Sequence, residues 1–128
     1  DPGWAEYRNF WLWVCFNISQ SGRPVVLFGS AGPEEFEDAP RRVYFSTIHY
    51  LSLVSDPSVL RERLSARPKW RQPSSPESIA NHVPWNQAII DGAGAADPPY
   101  AVLDTAHDTI EETARKLFGW ISAALENE

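Results

Sequence analysis

The chain has a single cysteine, no long apolar run and no excess of basic residues, and each shortage removes a class of protein. Cys15 alone closes no intramolecular disulfide, so the fold has to rest on a packed core. Its place inside an apolar run is the usual setting of a buried cytoplasmic thiol. The most apolar stretch, Phe10-Trp11-Leu12-Trp13-Val14-Cys15-Phe16, is far shorter than the ~20 residues a membrane-spanning helix needs. It also lacks the basic start and small-residue cleavage site of a secretory signal. These features predict a cytoplasmic protein with no membrane partner. With 17 acidic against 11 basic residues the formal net charge is −6. That balance opposes a surface built to neutralise nucleic acid or anionic lipid, so any anion site has to be local. His49, His82 and His107 have no ligand-like spacing, and one cysteine builds no zinc site, so no metal centre is expected. No internal repeat occurs.

What is present is enough apolar material for one core. The 128 residues are 43% hydrophobic and include six tryptophans, four tyrosines and six phenylalanines, which predicts a single aromatic-rich domain over 1–128. Trp4, Tyr7, Trp11, Val14, Cys15 and Ile18 recur at three- and four-residue steps, the signature of a helix, with Gly22 to close it. Phe10, Trp13 and Phe16 widen its apolar face. A helix so greasy demands cover on most sides, from the rest of the chain, a partner segment or a second copy in a homo-oligomer.

Three short apolar runs follow, Val25-Val26-Leu27-Phe28, Tyr50-Leu51-Ser52-Leu53-Val54 and Tyr100-Ala101-Val102-Leu103. Two of them lack strict alternation, as strands covered on both faces of a parallel sheet do. Helix signals lie between and after them. Asp56-Pro57 supplies an N-cap and a first-turn proline to a helix through Leu60 and Leu64. Ser74 with Glu77 forms a capping-box pattern before Ile79, Val83, Ile89 and Ile90, in a helix that Pro84 should kink or divide. Asp108 with Glu111 opens a last helix through Ile110, Ala114, Leu117, Phe118, Ile121 and Leu125, expected to lie across the sheet. The fold class is therefore α/β.

In open α/β sheets ligands bind at the carboxyl ends of strands. Gly29-Ser30, Ser55-Asp56 and Asp104-Thr105 stand there, and they suit a polar ligand as well as ordinary turns and caps. The second feature is basic: Arg61, Arg63, Arg67, Lys69 and Arg71 make up five of the eleven basic side chains. Arginine binds phosphate through a planar two-pronged fork, so this run can close over a polyphosphate; a solvated helix face is the other reading.

Read in order, three segments resemble the P-loop kinases of small molecules, the family of adenylate, shikimate and gluconate kinases and bacterial nucleoside-kinase-like proteins. Gly22-Arg23-Pro24-Val25-Val26-Leu27-Phe28-Gly29-Ser30 is similar to the family's middle strand. Tyr50 to Arg71, YLSLVSDPSVLRERLSARPKWR, resembles a strand, a helix and the arginine-bearing lid, here segment 61–75. Val102-Leu103-Asp104-Thr105 with Ile110-Glu111-Glu112-Thr113-Ala114 is similar to the last strand, nucleotide-side loop and terminal helix. The resemblance implies a three-layer parallel sheet with helices on both faces, and ATP-dependent phosphorylation of a small molecule, plausibly a nucleoside or nucleotide, with ATP and magnesium as cofactors. It places Arg63, Arg67 and Arg71 on the transferring phosphate. Arg61, Lys69, Asp104, Thr105 and His107 fall by the nucleotide, and Ser30, Glu34, Arg41 and Arg42 by the acceptor.

The departure from the family is plain: no G-x-x-x-x-G-K-[ST] occurs in these residues. The resemblance implies that the chain starts after the first strand and P-loop, and so is inactive or incomplete alone. The alternative is a non-catalytic module that grips a nucleotide or another anion. A serine hydrolase is the lesser rival, from Ser30, Asp104 and His107 in the order of α/β-hydrolases, although Phe28 stands where the G-x-S-x-G elbow needs glycine.

Overall fold

The computed structural model describes residues 3–68, 70 and 76–127. They fall into two compact units, Asp1–Tyr50 and Leu51–Glu128. The first unit is helical. Helix α1 (Trp4–Ser19) starts behind Gly3 at φ 90° and is followed by Gly22 at φ 82°, a left-handed position that favours glycine. The expected aromatic helix is therefore present, with a different buried stripe. Leu12 and Cys15 are its buried residues, while Trp4, Tyr7, Phe10 and Trp13 stay exposed. Burial pushes the Cys15 thiol above its ordinary range, which leaves it protonated and inert.

Helix α2 (Pro33–Glu37) and a 3₁₀ turn (Pro40–Tyr44) pack against α1. Arg8 on α1 reaches Glu35 on α2 at 3.4 Å. Trp13, Phe16, Tyr44 and Phe45 form an aromatic cluster, its closest pair Phe16 and Tyr44 with ring centroids 4.8 Å apart. Such pairs contribute beyond their buried area.

Segment 25–28 is not a strand, which corrects the expectation. Its apolar residues are of the right kind, but a strand exists by hydrogen bonding to a neighbour, and among the described residues no backbone hydrogen bond engages 23–31. Val26, Leu27 and Phe28 stand exposed.

The second unit carries the α/β character. Strands β1 (Leu51–Val54) and β2 (Ala101–Asp104) form a parallel pair in the register Leu51↔Ala101 to Val54↔Asp104. The sheet among the described residues has two strands, where the sequence had suggested three. Between them run α3 (Pro57–Ser65), α4 (Pro76–Gly92) and a 3₁₀ turn (Ala93–Ala95), with α4 packed on both β1 and α3. Asp56 caps α3 as its sequence indicates, accepting from the Val59 amide at 2.9 Å. Helix α4 passes through Pro84 undivided, because a proline removes one amide from the ladder while the turns on either side keep theirs. Ser74 lies outside the described residues.

Helix α5 (Ile110–Glu126) is capped one residue later than expected, by Thr109 and not Asp108. Thr109 accepts from the Glu112 amide at 3.1 Å and returns its hydroxyl to the Glu112 carboxylate at 3.1 Å. Asp108 is drawn away by Lys116 at 2.7 Å. The helix has no buried residue, so the stripe expected to lie across the sheet remains largely open, with Ile110 and Phe118 exposed. Among the described residues no helix is long and apolar enough to cross a membrane.

Candidate anion site at the strand ends

Parallel pairing puts the carboxyl ends of β1 and β2 at one edge, and the residues that follow them meet there. The Thr105 amide donates to the Val54 carbonyl at 2.8 Å, and its hydroxyl donates to the same oxygen at 3.0 Å. Across the edge the Asn86 carboxamide, carried by α4, clasps the backbone of Ser55: it accepts from the Ser55 amide at 3.1 Å and donates to the Ser55 carbonyl at 2.7 Å. Ser55, Asn86 and Thr105 are the buried polar residues of the described structure. Each has its partners, as buried polar groups require.

Arg63 completes the arrangement. Projecting from α3, its guanidinium donates to the Thr105 hydroxyl at 2.8 Å, to the Thr105 carbonyl and to the Ala106 carbonyl at 3.5 Å. A fork expected to hold a phosphate is turned instead onto the loop after β2. Arg63 is therefore a positioning residue, tying α3 to both strand ends through Thr105.

The carboxylates at this edge are also occupied by the chain. Asp56 accepts from the Val59 amide and the Ser58 hydroxyl, and these bonds hold it below the ordinary carboxylate range, with a smaller favourable contribution from His107 nearby. Asp104 accepts from the Ala106 amide at 2.9 Å, closing a tight turn. Lys116 is held above the ordinary lysine range, first by its hydrogen bond to Asp108.

Two arginines of the basic run stay open. Among the described residues no hydrogen bond or ion pair engages the guanidinium of Arg61 or Arg67, and both residues are exposed. Arg61 borders a shallow groove between α3 and α4, floored by Ile79, Val83 and Pro84. Lys69 and Arg71 lie outside the described residues. His107 is exposed beside Asp56.

The residues expected on the acceptor side belong to the first unit, where they are engaged separately. Arg41 stacks over Trp13 at 4.8 Å, and its amide donates to Asn9 at 2.9 Å. Arg42 pairs with Glu37 at 2.6 Å and donates to the Phe45 carbonyl at 2.7 Å. Tyr50 donates to the other oxygen of Glu37 at 3.1 Å. Burial, together with the neighbouring Glu37, pushes the Tyr50 hydroxyl well above the tyrosine range. Glu34 folds back over Gly32 in the first turn of α2. Ser30 lies exposed in an irregular segment and not at a strand end, so the elbow that the hydrolase alternative requires of it has no strand behind it.

Sequence reasoning missed Asn86 and Glu37. Asn86 stands beside a second amide, Gln87, between Val83 and Ile89, and neither it nor Glu37 carried a signal that singled it out. Among the described residues no three His, Cys, Asp or Glu side chains gather to hold a metal ion. Asp56 and Asp104, the carboxylates at this edge, are each bound to their own loops.

Comparison with protein-family models, with curated proteins and with solved structures found no match to this chain.

Proposed function

We propose that this chain is a phosphate-recognising element of a phosphotransferase-like protein, binding the polyphosphate of a small nucleotide such as ATP without transferring a phosphoryl group itself. The observation that carries the reading is the single edge at which Ser55-Asp56 and Asp104-Thr105 meet, with the basic helix α3 anchored to it through Arg63. Ligands of parallel α/β sheets lie at such edges. Anchoring α3 there also fixes the helix that carries Arg61 and leads to Arg67, whose forks are free to take phosphate oxygens. Phosphoryl transfer needs positioned charge around the moving group. The glycine-rich lysine loop that supplies it in P-loop kinases is absent from these residues, which favours binding without turnover.

Isothermal titration of the chain with ATP, with and without magnesium, tests this. The reading expects saturable binding that Arg61→Ala and Arg67→Ala each weaken by about ten-fold, the size of one charge-assisted contact of ~1.4 kcal/mol. Loss of binding in Arg63→Ala, with a drop in stability, fits its positioning role. No heat at millimolar ATP refutes the reading. ADP release by the purified chain refutes its non-catalytic half.

A further inference from the structure

We propose that the chain self-associates by strand exchange, with segment 25–28 of one copy adding antiparallel to the free edge of β2 in a second copy. The inference is independent of the phosphate reading and starts from two incomplete structures that match. β2 pairs with β1 along one edge, and among the described residues no strand lies on its other side. A two-stranded sheet is marginal in water, and an open edge invites another strand. Segment 25–28 is an apolar run of two valines, a leucine and a phenylalanine whose backbone groups have no backbone partner among the described residues, and whose side chains Val26, Leu27 and Phe28 are 49%, 42% and 70% exposed. It offers the unpaired donors and acceptors that the edge lacks.

Charge and side-chain size select the direction and the register. Antiparallel pairing of Val25 with Asp104, Val26 with Leu103, Leu27 with Val102 and Phe28 with Ala101 sets the large Phe28 against the small Ala101. Val25 and Leu27 then share the face of Val102 and Asp104, the exposed residues of β2. Arg23 falls on that same face, diagonal to Asp104 and within reach of it. Parallel pairing would carry Arg23 to the opposite end of the strand. Pro24, which lacks a donor, enters at the start of the added strand, where proline is tolerated. A two-fold pair of copies makes the contact twice, each chain giving one segment and receiving one.

The test is sedimentation of the full chain over a dilution series, with hydrogen exchange measured on the same samples. The expected result is a monomer–dimer equilibrium in which amides of 25–28 and of 101–104 gain protection together as dimer forms. Leu27→Pro removes a ladder amide in a segment outside every helix and strand, because Leu27 faces Val102, whose backbone groups point away from β1. It is expected to leave the circular dichroism unchanged and to weaken association at least about ten-fold. Arg23→Asp is expected to weaken association, and adding Asp104→Arg to restore it. A monomer at every concentration overturns the proposal. So does protection of 25–28 that persists unchanged on dilution, which would mean pairing within one chain, and so does a dimer indifferent to Leu27→Pro, which would mean association through another surface.

Discussion

Replacing Asn86 by alanine removes both hydrogen bonds that its carboxamide makes to Ser55. Asn86 is 6% exposed and Ser55 4%, so water does not readily replace the lost partner. The Ser55 amide and carbonyl are then left unsatisfied, at about 1–3 kcal/mol each. Because the two losses occur at one residue and partial relaxation is shared, the expected destabilisation is ~3 kcal/mol and not the full sum of the upper values. For a chain of this size that corresponds to a fall in melting temperature of roughly 10 °C. Urea denaturation followed by far-ultraviolet circular dichroism reads the change as a lower midpoint at constant slope. Hydrogen exchange locates it, since the amides of Ser55 and Thr105 should lose protection ahead of those in α5. Asn81→Ala, on the same helix at an exposed position, is the control and should change stability by less than about 0.5 kcal/mol. If Asn86→Ala matches that control, the clasp does not hold the strand ends and the account of this edge is wrong.

Thr109→Ala should cost about 1 kcal/mol and reduce the helical signal of α5, whereas Asp108→Ala should leave the start of the helix in place, because Thr109 is the cap. Asp56 is held below its ordinary carboxylate range by the amide and hydroxyl it accepts from. Its stabilising effect is therefore complete above the unfolded value near 3.8 and is lost as pH falls through the lower folded value. Urea midpoints from pH 5 downward should fall less steeply in Asp56→Asn than in the parent. Tyr50 moves the other way: its hydroxyl is raised, so its contribution is complete below the ordinary value near 10.0 and is lost as pH rises beyond that. Tyrosinate absorbance should show one hydroxyl resisting ionisation at alkaline pH, and Tyr50→Phe should remove that component.

How much of this was legible in the sequence differs from element to element, for physical reasons. Helices α1, α3 and α5 announce themselves through apolar spacing and cap residues, which are local signals. The apolar runs at Leu51 and Ala101 became strands, while the equally apolar run at Val25 did not. Composition reports how well side chains suit a sheet, but strand formation depends on a neighbour far away in the chain. The cap of α5 was read one residue early, since Asp108-x-x-Glu111 and Thr109-x-x-Glu112 are both valid patterns and the competing ion pair with Lys116 decides between them. At the candidate site the strand ends Ser55-Asp56 and Asp104-Thr105 were legible from the α/β pattern. The duty of Arg63 was not, because a fork that grips backbone carbonyls and one that grips phosphate have the same sequence. Asn86 became significant only once α4 was laid against β1.

Residues 55–100 separate the two strands, so the ladder between β1 and β2 joins positions distant along the chain. Closing so long a loop exacts its entropic cost before any ladder bond forms. Helices α3 and α4 can assemble from nearby residues and shorten the effective gap first, with Asn86 and Arg63 then able to capture the strand ends as they arrive. The strand-end edge is thus expected to be the last region to become native and the first to open, and a ligand seated there would stabilise the step on which completion of the fold depends.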